Sequence, residues 1–128
     1  MQQRVHFSQK LDELRMLVLR MAALAENAAR NAARAYLTVD SDLAEEVIMG
    51  DGDINALEDR IDAFTLELLA LDQPMACDLR SIIGAMRMSV NLERVGDEAV
   101  NLAHRALFLS TRPPMPSNPR MEQLAGQV

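Results

Sequence analysis

Two carboxylates stand four positions apart in the stretch NLERVGDEAVN (residues 91–101): Glu93 and Asp97. Like charges one helical turn apart repel and weaken a helix by about 0.2–0.5 kcal/mol. Such a pair is either screened by water or shares a cation. A second set of oxygen donors, Asp51, Asn55, Glu58 and Asp62, falls on one stripe of a helical wheel. Hard cations take oxygen ligands of this kind, and carboxylates projecting from facing helices build di-iron and di-manganese sites in helical bundles. His104 is a weaker candidate ligand, since it lies about two turns beyond Asp97 and suits capping or packing as well. Spacing alone decides little, because the chain has 19 acidic residues and Asp42/Glu46 repeats the pattern without evident purpose.

The elements that must carry these residues are helical. Apolar residues make up 49% of the chain but aromatic ones only 3%, so the core must be built from Leu, Ala, Ile, Val and Met, which suit long helices. Phe7, Leu11, Leu14, Val18, Met21, Ala25, Ala28, Ala32 and Ala35 alternate steps of four and three, a heptad seam that predicts a first helix from Ser8 to Tyr36, with Ser8 as its cap. LTVDSD interrupts the seam and offers Asp40 or Ser41 as the cap of the next helix. The second seam runs through Leu43, Val47, Gly50, Ile54, Leu57, Ile61, Phe64, Leu68 and Leu71, with Gly50 and Gly52 expected to weaken or bend its middle. LDQPMACD makes the next break, and a third seam follows through Ala85, Met88, Leu92, Val95, Ala99, Leu102, Ala106 and Leu109 until RPPMPSNP ends it. Three helices of roughly 45 Å with short connections predict an all-α, antiparallel up-down-up bundle. Residues 1–112 form this unit, and 113–128 read as a Pro-rich linker and the first turns of a further helix.

Turning about 100° per residue along the third helix sorts its charges. Arg80, Arg87, Asn91, Arg94, Glu98, Asn101 and Arg105 fall on one arc, the solvent face. Glu93 and Asp97 lie outside it, in a stripe with Leu79, Ile82, Met86, Val90, Val100 and Leu107. A hairpin turning near Pro74 brings the Asp51/Asn55 level of the second helix to the Glu93/Asp97 level of the third. Half-buried carboxylates need charges or hydrogen bonds to offset desolvation, and the second helix supplies no cation for them. Two readings stand: a metal site, or a hydrated acidic edge satisfied by arginines of a neighbouring helix or subunit. The ladder Arg80, Arg87, Arg94 is likewise either an ordinary solvated face or a ridge that docks an acidic partner.

Composition excludes several classes. A formal charge of −6 argues against a nucleic-acid backbone as partner. The single Cys77 cannot form an internal disulfide and reads as a small, half-buried residue of a reducing compartment. Charges interrupt the first twenty residues, so neither a signal-peptide core nor a membrane span is expected, and the cytoplasm is the default location, peripheral to a membrane at most. No Glu-x-x-His pair, nucleophile with adjacent base or Gly-rich phosphate loop is present, which disfavours the rival reading of a carboxylate-bridged metal enzyme. A metal-free helical adaptor is the other alternative.

GDGDINALEDRID (50–62), LLALDQPMACDLRSI (68–82) and NLERVGDEAVNLA (91–103), in that order, resemble the PhoU family of phosphate-signalling proteins. The similarity extends from FSQKLDELR to Leu109. The resemblance implies a three-helix repeat, normally present in two copies, that binds metal clusters through E/DxxxD motifs. Glu93 and Asp97 match the acids of its ERxGD motif, and Asp51, Asn55, Glu58 and Asp62 match the acidic run on its second helix. Iron, zinc, manganese or magnesium is then the expected metal. The resemblance further implies a regulator and not an enzyme, a negative regulator that couples a phosphate ABC transporter to a sensor histidine kinase. Two departures stand out. Glu98 occupies the position where members often carry His, and only one repeat is present, so the chain is expected to be a fragment or to complete its bundle as a homodimer.

Overall fold

The computed structural model describes residues 2–71 and 76–112, with side chains from 6 to 70 and from 78 to 112. Three helices, α1 (Gln2–Thr38), α2 (Ser41–Leu71) and α3 (Ala76–Ser110), pack pairwise on one another as the antiparallel bundle that the seams predict. The Pro74 break and the helix start expected after residue 112 lie outside the described residues, as does the Cys77 side chain.

The helix ends differ in detail from the sequence reading. No Gly or Pro interrupts QQRVHF, so α1 begins at Gln2 and Ser8 lies inside it instead of capping it. The helix also runs past Tyr36 to Thr38 and stops where Val39 turns left-handed, at φ 53°. The Asp40 N–H then bonds to the Ala35 carbonyl at 2.9 Å, closing the last turn. Asp40 Oδ1 accepts the Leu43 N–H at 3.2 Å, which makes Asp40 the N-cap of α2. Gly50 and Gly52 are exposed with nothing near their Cα hydrogens, yet α2 is continuous, because Val47, Ile54 and Leu57 bury its inner face around them.

The α1 seam is buried as expected, from Phe7 to Ala35, with Ala28 half-buried. Large side chains, among them Leu14, Met21, Ile54, Ile61, Leu68 and Ile82, fill one end of the bundle. Alanines 32, 35, 44, 99, 103 and 106 with Val47 fill the other. The third seam needs a correction. Ala99 and Ala106 are buried and Ala85 and Leu92 half-buried, but Met88, Val95 and Leu109 are exposed. Their place is taken by Ile82, Ser89, Gly96 and Ala103, one heptad apart and all buried. Two columns of α3 compete for the interior, and the one with smaller side chains lets α3 seat between α1 and α2.

Candidate functional site

The level at which α2 meets α3 is set by Gly96, which is buried. A Cβ there would lie 3.3 Å from Ile54 Cδ1 and 3.4 Å from Asp51 Oδ1. Asp51 is therefore level with the Glu93–Asp97 turn, as a hairpin about Pro74 requires. One oxygen of its half-buried carboxylate, Oδ1, is buried without a hydrogen-bond partner, while Oδ2 accepts from Asn55 Nδ2 at 3.1 Å. Asn55 itself is exposed, and its amide orients Asp51.

Electrostatics tie the two helices together. Hydrogen bonding with the Asp97 carboxylate, then burial, then the charges of Asp97, Glu58 and Asp51 hold the Glu93 carboxyl above its ordinary range. Burial raises Glu58 as well, followed by the charges of Asp62, Asp59 and Asp97. Five of the acids singled out by sequence, Asp51, Glu58, Asp62, Glu93 and Asp97, thus share one field across the α2–α3 groove. Sequence reasoning missed Asp59, exposed beside Glu58 and off the chosen stripe, and it missed Gly96. The signal for Gly96 was present in the heptad spacing of Ile82, Ser89, Gly96 and Ala103, hidden by the stronger hydrophobicity of the neighbouring column.

The donor chemistry fits a hard or borderline cation. All donors are oxygens, Asp51 Oδ1 has no proton donor to accept from, and among the described residues no Lys or Arg is ion-paired to these acids. The ion pairs Arg15–Asp12 (3.0 Å) and Arg30–Glu26 (2.7 Å) lie on the exposed side of α1. In the present side-chain positions, no group of three or more His, Cys, Asp or Glu among the described residues gathers closely enough to hold one ion. His104 is exposed on α3, as are Arg80, Arg87 and Arg94. Arg94 and Arg105 flank a groove floored by Ala29, Val95, Ala99 and Leu102 between α1 and α3.

Residues 18–106, which contain all of these acids and the arginine ladder, match the PhoU domain. The chain belongs to the PhoU family. It is similar to the phosphate-specific transport system accessory protein PhoU homolog of Aquifex aeolicus (strain VF5), 42% identical over 106 residues that cover 83% of this chain and 48% of that protein. The homolog of the same description from Caulobacter vibrioides (strain NA1000 / CB15N) is 35% identical over 122 residues, covering 95% of this chain and 53% of the relative. The crystal structure of PhoU from Pseudomonas aeruginosa superposes with a TM-score of 0.83 at 35% identity, covering 94% of this chain and 58% of that one. The chain spans about half the length of the PhoU relatives it matches. Among the described residues, no helix is long and apolar enough to cross a membrane.

Proposed function

We propose that this chain is a cytoplasmic regulator of phosphate uptake, a non-enzymatic accessory of a phosphate ABC transporter. It couples the transporter to a sensor histidine kinase and represses phosphate-starvation genes when phosphate is plentiful. The observation that carries the reading is the match of residues 18–106 to the PhoU domain. Its test is a starvation-gene reporter in the source cells grown in abundant phosphate. Removal of the chain raises the reporter and its restoration lowers it; an unresponsive reporter refutes the assignment.

The acidic α2–α3 face is the proposed metal site, held by Asp51, Asn55, Glu58, Asp62, Glu93 and Asp97. A bound iron, zinc, manganese or magnesium ion would neutralise carboxylates that otherwise repel. The metal-free adaptor is kept as the second reading because no three of these groups converge as they stand. Elemental analysis of the purified chain separates the two: the wild type carries metal and the Glu93→Ala/Asp97→Ala pair loses it, whereas equally low metal in both favours the adaptor.

The arginine ladder is the proposed docking ridge for an acidic surface of the transporter or kinase. Charge reversal at Arg87 and Arg94 weakens that association if the ridge is used, and unchanged association removes it from the proposal. The chain is further proposed to pair with a second copy, so sedimentation gives twice the chain mass; a strict monomer overturns this point.

A further inference from the structure

We infer that the second copy proposed above packs along α2, with Arg20 and Arg60 of each copy meeting the Asp59–Asp62 rim of the other's acidic groove. The inference deepens that pairing and rests on it. Arg20 of α1 and Arg60 of α2 are exposed and line one cleft with Glu13, Met16, Leu17 and Leu19. The ion pairs on α1, Arg15–Asp12 and Arg30–Glu26, use acids three and four positions away. Arg20 has Met16, Leu17, Ala23 and Leu24 at those spacings, and Arg60 has Ala56, Leu57, Ala63 and Phe64, so neither finds a carboxylate there. Among the described residues neither arginine is ion-paired, to Glu13 or to any other acid. Two guanidinium groups in one largely apolar cleft make a cationic spot on a chain of net charge −6. Its complement is an acidic surface.

The chain itself carries that surface, on the same turn of α2. Arg60 stands on the α1 flank of the helix, whereas Glu58 and Asp62 stand on its α3 flank in the field of Asp97, with the exposed Asp59 beside them. A twofold axis parallel to α2 sets the α1 flank of one copy against the α3 flank of the other at equal height, twice over. The face between the flanks permits this approach. Gly52, Ala56, Ala63 and Ala70 form an exposed line of small residues at spacings of four and seven, and an added Cβ at Gly52 meets nothing within 4 Å. Met49 and Leu66, 83% and 63% exposed, stand at either end of it. Pairing buries both, giving the interface an apolar centre with arginines matched to carboxylates at its edges.

The test is sedimentation equilibrium of the full chain, with circular dichroism to establish that each variant is folded. Arg20→Glu/Arg60→Glu is expected to weaken self-association by about tenfold or more, and so is Asp59→Lys/Asp62→Lys, because each makes both contacts like-charged. Mixed in equal amounts, the two variants pair again, since each then meets the opposite charge at both contacts. The charge-matched control Arg15→Glu/Arg30→Glu leaves the mass unchanged. Failure of the mixture to pair, or dissociation of the control, overturns the inference. Either α2-face variant remaining dimeric on its own also overturns it, with the pairing itself intact. A monomeric wild type removes the pairing and this inference together.

Discussion

Glu93 registers the acids around it. Its proton is retained more tightly in the folded state than in the unfolded one, because the hydrogen bond with Asp97, burial and three neighbouring charges all favour the neutral form. The linkage follows directly. The folded state binds more protons than the unfolded state above the ordinary carboxyl pKa, so this contribution to stability is fully present below that value and is lost as pH rises through the raised one. Glu58, raised for similar reasons, acts in the same direction. Metal-free protein therefore carries residual repulsion at neutral pH. Glu93→Gln should raise its melting temperature by roughly 1–2 °C at neutral pH, since an exposed like-charge pair is worth only about 0.2–0.5 kcal/mol. The gain should vanish near pH 4, about where the unfolded carboxyl itself is half-protonated. Calorimetry in the presence of a chelator at both pH values checks this, and a gain independent of pH would show that repulsion is not its source. If the proposed metal site holds Mn(II), adding the ion reverses the sign.

Helix ends are where local chemistry shows through the packing. The α1–α2 connection is three-way: a left-handed Val39, an Asp40 N–H returning to the Ala35 carbonyl, and an Asp40 carboxylate capping α2. A β-branched residue in the left-handed region costs on the order of 1 kcal/mol, and Gly is the usual occupant of that position. Val39→Gly should therefore stabilise the bundle by about 0.5–1 kcal/mol, measured as a shift in the urea midpoint at unchanged slope. Asp40→Ala should destabilise it by about 1 kcal/mol through loss of the cap. The Asp40 cap was readable in LTVDSD because Asp placed three residues before an N–H it can accept is a local signal. The early start of α1 was not, since nothing local marks it. QQRVHF is equally compatible with coil, and only the burial of Phe7 against the bundle draws the helix outward.

The whole molecule follows from which face each helix turns inward. For α1 and α2 one apolar stripe dominates, and the sequence alone locates it. The acidic juxtaposition was legible for the same reason: a hairpin about Pro74 pairs Asp51 with the Glu93–Asp97 turn whatever the third seam does. For α3 two columns are apolar enough, and hydropathy favours Met88, Val95, Leu102 and Leu109 over Ile82, Ser89, Gly96 and Ala103. Burial favours the second column, because three helices close around a line of small side chains more tightly than around Met and Leu. The two registers make opposite demands on substitution. Ala103 is fully buried in the alanine end of the core, so Ala103→Leu should overpack it and cost about 1–3 kcal/mol. Met88 is 52% exposed, so Met88→Gln should change stability by no more than about 0.5 kcal/mol. Were the hydropathic column the inner one, Met88→Gln would bury an amide and be the damaging change, and Ala103→Leu would be tolerated on the surface. Urea titration of the two variants in metal-free protein decides between the registers, and with them the side of α3 on which the acidic field can form.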